Sequence, residues 1–204
     1  MKWSLLLSFF LGFVFFNIDI IKAQDSTPQP GVLPVNQEFT FRQTKWGMSK
    51  NEVKNSEKLK LISGSANSLF YRGIVNGMVT LVVYKFSKDK LSSGTYIFEE
   101  EHSNKNDYID YYDKAKSPLI RIYGKPKDDR TDWKNDVFRQ SPQNWGTAIS
   151  AGYLEYLTFW ETDKTKILLS LSGENYEMKF FLSYRSIEYG LNEKDEERDD
   201  TKGH

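Results

Sequence analysis

Two kinds of hydrophobic pattern alternate along the central part of this chain. Short runs rich in aromatic and β-branched residues, bounded by turn residues, predict six strands. They cover residues 68–72, 78–86, 91–100, 151–161, 166–172 and 178–187. Asn76-Gly77 predicts a tight hairpin turn between the first two strands. Apolar residues spaced three and four apart predict a helix from Asn106 to Gly124, which Pro118 should bend or split.

A second, shorter helix precedes the first strand. Ser49 followed by Glu52 forms the pattern of a capping box, and the helix should end near Lys58. The order of elements is therefore α-βββ-α-βββ, which predicts an α+β fold with an antiparallel sheet of about six strands and two helices on one face. Residues 80–91 and 157–167 share an apolar strand, a charged turn and an apolar restart. A duplicated unit and two unrelated hairpins both explain that similarity, and both interpretations stay open.

The first residues have the composition of a secretory signal peptide. Lys2 is followed by an apolar run of about a dozen residues, too short to cross a membrane as a helix, and the segment ends at Ala23. We therefore expect cleavage of residues 1–23 and an exported protein with no integral membrane segment afterwards. The periplasm, the cell surface and the medium are all compatible destinations.

The flanking compositions limit the folded part. Residues 24–37 contain three prolines among small polar residues, which predicts a linker. Residues 192–204 are acidic and lack an apolar anchor, which predicts a disordered tail. A single α+β domain is expected at residues 38–191.

Charge and cysteine content exclude several classes of protein. The chain has 28 basic and 28 acidic residues, and loss of Lys2, Lys22 and Asp19 with the signal peptide leaves 26 and 27, a net charge of −1. Such a balance argues against nucleic-acid binding, which usually needs a concentrated basic face. Absence of cysteine excludes disulfides, thiolate metal sites and a lipid-modified cysteine anchor. Stability must then come from packing.

Two short motifs carry a resemblance to known proteins. The first runs from Phe41-Arg42 through Trp46-Gly47-Met48-Ser49 to Glu52-Val53, and the second is Tyr123-Gly124-Lys125-Pro126. Together they resemble uncharacterised exported bacterial proteins, and more distantly helix-plus-sheet domains of the BamE/SmpA and β-lactamase-inhibitor-like kind. That resemblance implies protein binding without chemistry. Independently of it, the Trp-Gly-Met-Ser segment is best interpreted as structural, with glycine turning the chain and serine capping the helix.

Three polar clusters contain residue types that could form a chemical site. Residues 99–102 combine three glutamates with His102, residues 128–132 offer acidic oxygens without the spacing of a calcium loop, and Asp107, Asp110 and Asp113 follow one helix face. A solvated loop or an exposed stripe explains each of them. The sequence therefore predicts no catalytic residue, no metal ligand and no cofactor.

Aromatic strands provide the remaining candidate site. Alternation in residues 153–160 places Tyr156 and Trp160 on one face of a strand, and Leu157 and Phe159 on the other. Tyr156 and Trp160, together with Tyr96, are predicted to line an open sheet surface unless residues 125–145 cover it. The leading hypothesis is a non-enzymatic exported protein that binds another protein or an envelope component there. The alternative is a carboxylate- or metal-dependent hydrolase of the cell envelope. The oligomeric state is open.

Overall fold

A computed structural model describes residues 40–190, and its eight strands form one antiparallel sheet. The strands are β1 (Lys60–Gly64), β2 (Ser68–Val75), β3 (Met78–Ser87), β4 (Lys90–Phe98), β5 (Asp128–Trp133), β6 (Leu154–Glu161), β7 (Thr165–Glu174) and β8 (Glu177–Ser186). The α-helices are α1 (Lys50–Ser56), α2 (Asp107–Tyr123) and α3 (Trp145–Ser150). The predicted signal peptide, linker and acidic tail lie outside the described residues.

The sheet consists of two four-stranded meanders that meet in the middle. Strand order is β1-β2-β3-β4-β8-β7-β6-β5, so the last strand of each meander pairs with the other. At this junction Thr95 lies opposite Ser183, and their hydroxyl oxygens are 3.1 Å apart. The order of the strands is thus symmetric about the β4–β8 pair. Such symmetry fits a duplicated unit, which stays a prediction.

The α+β class and the antiparallel sheet are confirmed, but the expected number of elements was too small. The structure has eight strands and three α-helices within the described residues, not about six strands and two helices. β1 was missed because it is short and wholly exposed. β5 was missed because Asp128–Trp133 is mostly charged, a composition depleted in strands, and it becomes a strand through pairing with β6. α3 lies between the loop expected at residues 125–145 and the strand expected at residues 151–161, where no element was predicted.

Both predicted helices form, with one difference. The capping box at α1 is present: the Ser49 side chain accepts a bond from the amide of Glu52, whose carboxylate accepts from the amide of Ser49. α2 runs from Asp107 to Tyr123 as one helix and is not split at Pro118. Pro118 is buried together with Leu119, so packing of this turn offsets the backbone hydrogen bond that proline cannot make.

The helices and the segment before α1 cover one face of the sheet. Over the β6–β8 half, the hydroxyl of Tyr112 in α2 lies 2.6 Å from that of Thr158, and Ile149 of α3 is fully buried. Over the β2–β4 half, the ring of Phe41 packs against Tyr84 and Tyr96. We call this side the covered face.

The first short motif has a structural role at nearly every position. Gly47 has a φ of +82°, and the ring of Tyr189 leaves no room there for a side chain. Val53 is fully buried in α1. The indole nitrogen of Trp46 donates to the hydroxyl of Thr165, 2.8 Å away in β7, so Trp46 ties the start of α1 to the far half of the sheet.

Removal of the Trp46 ring is expected to destabilise the fold. Trp46→Ala should lower the free energy of unfolding by about 3 kcal/mol, because it opens a cavity and leaves the buried hydroxyl of Thr165 without its donor. Trp46→Phe keeps most of the packing and should cost about 1 kcal/mol. Urea denaturation of both variants measures the difference. Equal losses would mean that the hydrogen bond and not the ring volume sets the cost.

Candidate functional site

The three residues predicted to bind a partner all lie on the covered face. Tyr96 and Trp160 are each only 2 % exposed, and Tyr156 is half-buried. Tyr96 packs under Phe41 with ring centroids 4.9 Å apart, and Trp160 donates its indole hydrogen to the carbonyl of Gly124 at 3.0 Å. The expectation that Tyr96 and Trp160 line an open surface is therefore wrong. Large aromatic rings bury the most area, and here they form the core beneath the helices.

Burial also changes the acidity of these tyrosines. It raises the pKa of Tyr96 to about 12, although the nearby charge of Arg42 acts in the opposite direction. Burial, helped by the charge of Asp113, raises the pKa of Tyr156. Tyr156 packs against Tyr112 with ring centroids 5.5 Å apart. These hydroxyls stay protonated at neutral pH and serve packing rather than acid–base chemistry.

The opposite face carries no helix among the described residues, and we call it the uncovered face. Strand register places Phe70 beside Val83 on it, and Leu81 beside Ile97. The apolar residues of this face form two rows that cross the sheet. They are Phe70, Val83, Leu168 and Phe159 in one row, and Leu81, Ile97, Phe181 and Leu157 in the other.

The uncovered face is amphipathic rather than polar. Ile74, Val79 and Ile97 are 72 %, 39 % and 37 % exposed, and Ile74 pairs directly with Val79. Contiguous exposed apolar side chains on a sheet face mark an interaction site more often than isolated ones do. Its aromatic residues are Phe70, Phe159 and Phe181. The residues predicted from the sequence, Tyr96, Tyr156 and Trp160, lie on the covered face instead.

A buried ion pair lies at the edge of the covered face. Arg42 donates from Nε and Nη2 to the two carboxylate oxygens of Glu57 at 2.7 and 3.1 Å, and the Tyr84 hydroxyl donates to Oε2 at 2.5 Å. Backbone amides of Lys58 and Leu59 donate to Oε1. Arg42 also lies over the Tyr96 ring, 5.9 Å from its centroid. We call Arg42, Glu57, Tyr84 and Tyr96 the ion-pair cluster.

Perturbed pKa values make this cluster the obvious candidate for chemistry, but its geometry favours a structural role. Burial alone raises the pKa of Glu57, and hydrogen bonds from Arg42 and Tyr84 outweigh it, so the pKa is lowered overall. Burial and the charge of Glu57 raise the pKa of Tyr84. Glu57 accepts five hydrogen bonds and its side chain is 2 % exposed, so it has neither a free lone pair nor room for a substrate.

The glutamate and histidine cluster of residues 99–102 does not converge on one point. Glu99 pairs with Arg72 at 2.8 Å, and Glu100 accepts the amide of Val79 at 3.0 Å. The His102 ring stacks on Tyr111 with centroids 4.5 Å apart. These side chains are directed to different partners, as expected for a structural role.

The acidic residues of 128–132 lie on an edge strand, not in the predicted solvated loop. Asp128 and Asp132 flank Arg130 at 3.4 and 3.3 Å, while Asp129 on the other face accepts from Lys116 at 2.6 Å. Asp107, Asp110 and Asp113 lie on α2, where Tyr108 and Tyr112 are buried. Residues 40–190 contain no group of three or more His, Cys, Asp or Glu that could hold a metal ion. None of the helices in that range is long and apolar enough to span a membrane.

No family model, curated protein or solved structure matches this chain. The resemblance to exported bacterial domains stays a prediction. Within the fold, its second motif acts structurally, since Tyr123 packs against Tyr184 and Gly124 ends α2 with a φ of +76°.

Sequence reasoning missed the uncovered face and the ion-pair cluster. Arg42 and Glu57 are 15 positions apart and Tyr84 is a further 27 away, so no local pattern connects them. Alternation predicts that Phe159 and Leu157 lie on the same side of their strand, as observed, but it does not show that this side is the open one. Knowing that α2 lies over Thr158 would have identified the other side as free.

Proposed function

We propose that this chain is an exported bacterial protein without enzymatic activity that binds another protein or an envelope component through the uncovered face. The signal-peptide composition of residues 1–23 supports export. The observation that carries the binding proposal is the pair of apolar rows on a sheet face that the described helices leave bare. Half-buried phenylalanines beside exposed aliphatic residues supply area for an interface core.

The surroundings of the apolar rows also suit a protein interface. Charged side chains border them at both ends of the strands, with Lys85 and Lys166 at one end and Glu99 and Glu177 at the other. An apolar centre with a polar rim is the usual anatomy of such surfaces. The carboxylate- or metal-dependent hydrolase finds no support, because the glutamates of residues 99–101 that could serve it have separate structural partners or lie exposed.

The binding proposal is tested with substitutions that differ only in which surface they change. Phe181→Asp and Ile97→Asp place a charge in the centre of the uncovered face, and Val137→Asp places one at a 70 % exposed site in the loop after β5. Each tagged protein is incubated with envelope extract, and retained components are identified by mass spectrometry. We expect that the wild type and Val137→Asp retain a component that both face variants lose. The purified component should reproduce this difference.

Retention that is equal for all four proteins would contradict the proposal, as would the failure of a monomeric wild type to retain any component over a range of salt concentrations. Circular dichroism of each variant ensures that a lost interaction does not reflect unfolding. Hydrolysis of an envelope substrate that is lost with Glu99→Gln or Glu101→Gln would instead favour the enzymatic alternative.

A further inference from the structure

The hairpin of β7 and β8 carries two pairs of like charges on the uncovered face. Lys166 lies directly opposite Arg185 at one end, and Glu174 directly opposite Glu177 at the other. Like charges at directly opposed positions destabilise an antiparallel pair. All four residues are exposed. The two pairs are eight positions apart along β7, which corresponds to about 27 Å.

One of the apolar rows crosses the sheet midway between these charge pairs. Ser170 and Phe181 form the central pair of the hairpin, four positions from each end. Phe181 lies beside Ile97, and Ile97 beside Leu81. On the other side Ser170 lies beside Leu157. Glu161 of β6 lies opposite Lys166, and Lys179 of β8 lies beside the acidic pair. The charges nevertheless sum to positive at one end of β7 and β8 and to negative at the other, and the midline between them is apolar from Leu81 to Leu157.

Such a face is complementary to itself under one twofold rotation. An axis along the apolar midline brings two copies face to face with antiparallel strands, and it places each basic pair over an acidic pair of the other copy. The midline then packs against its own counterpart. A twofold axis parallel to the strands would instead place basic over basic and acidic over acidic. Charge thus selects one symmetric arrangement.

We infer that the occupant of the uncovered face is a second copy of this chain, which rests on the proposed role of that face in binding. In this homodimer Lys166 and Arg185 of one copy pair with Glu174 and Glu177 of the other. Lys179 holds Glu174 at 2.6 Å within each copy, and both side chains are more than half exposed. A carboxylate accepts several hydrogen bonds, so Glu174 keeps its contact with Lys179 while it pairs with a cation of the other copy.

The available area is sufficient for a stable dimer. Eight strands spaced at about 4.8 Å span about 38 Å, and the charge pairs are about 27 Å apart along the strands, so each copy offers about 1,000 Å². Standard protein interfaces bury about 800 Å² per partner. Two sheets packed face to face interdigitate their side chains across about 10 Å, as in β-sandwiches.

Charge reversal tests this arrangement with the purified protein alone. The variant K166E/R185E makes both ends of the face acidic, and E174K/E177K makes both ends basic. Each should weaken dimerisation by about 100-fold or more, because like charges then oppose each other twice across the interface. Mixing the two variants should restore a dimer containing one copy of each. Sedimentation velocity between about 1 μM and 1 mM, with one variant fluorescently labelled, measures all three.

A matched control reverses an exposed ion pair elsewhere. Arg139 and Asp136 pair at 3.0 Å in the loop after β5, and the swap R139D/D136R should leave dimerisation unchanged. A wild-type protein that is monomeric at every concentration would overturn the dimer, as would a dimer insensitive to both face reversals. If the wild type is monomeric but retains an envelope component that Phe181→Asp loses, the dimer is wrong and the proposed function stands. If no component depends on the face either, both fail.

Discussion

Replacement of Glu57 by alanine is expected to lower the free energy of unfolding by about 3 kcal/mol or more. The substitution leaves the Arg42 guanidinium, whose side chain is 19 % exposed, and the Tyr84 hydroxyl without the carboxylate that accepts their hydrogen bonds. Removal of one member of a buried ion pair typically costs 3–5 kcal/mol, because the remaining charge stays desolvated. The double variant Arg42→Met/Glu57→Leu should recover much of this loss, since it removes both charges.

Chemical denaturation of the wild type, Glu57→Ala and the double variant measures these losses, with Lys134→Ala as the control. Lys134 pairs with Glu155 at 2.7 Å but is 59 % exposed, so its loss should cost less than about 1 kcal/mol. A Glu57→Ala loss as small as that of Lys134→Ala would show that the ion-pair cluster contributes little to stability.

The same carboxylate predicts how stability depends on pH. Burial acts to raise the pKa of Glu57, but hydrogen bonds from Arg42 and Tyr84 leave it lowered in the folded protein. A lowered pKa contributes stability that is fully present above the unfolded value of about 4.3 and disappears as the pH falls through the folded value. The difference in unfolding free energy between wild type and Glu57→Gln should therefore be constant from pH 5 to 7 and shrink below pH 4. A difference independent of pH would contradict it.

Sequence patterns identified several local elements and the assignment of β6 side chains to the two faces of the sheet. The capping box of Ser49 and Glu52 and the Asn76-Gly77 turn depend on residues close in sequence, and both occur in the structure. Asn76 and Gly77 have φ values of 52° and 81°, as this hairpin turn requires. Alternation in β6 correctly separated Leu157 and Phe159 from Tyr156 and Trp160.

Properties that depend on distant parts of the chain could not be obtained in this way. Alternation assigns residues to faces but does not say which face is covered, and that depended on where Phe41 and α2 pack. The charged residues of β5 pair only because β6 presents a free edge beside them. An edge strand rich in Asp and Arg is also protected against pairing with other chains, which explains why it lacks the usual strand composition. The candidate site was therefore placed on the wrong face of a sheet whose antiparallel class was predicted correctly but whose number of strands was not.

Phe41→Ala is the second substitution for which we expect a large effect, about 3–5 kcal/mol of unfolding free energy. Its ring is 3 % exposed and lies against Tyr84, Tyr96 and Tyr184, with centroid distances of 5.3, 4.9 and 5.5 Å. The ring also rests directly on Gly94 of β4, where an added Cβ would overlap it. Gly94→Ala alone should cost about 1–3 kcal/mol through overpacking, or more if the ring cannot shift.

The two substitutions are expected to compensate each other. In Phe41→Ala/Gly94→Ala the new methyl group occupies space that the ring has vacated, so the double variant should lose less stability than the sum of the single losses, by about 1 kcal/mol or more. Gly73→Ala is the matched control in β2, because its Cβ would meet only the flexible end of the Leu59 side chain. Guanidinium denaturation of the five proteins yields the coupling energy. Strict additivity would mean that Phe41 and Gly94 do not share the close contact on which the packing of the covered face depends.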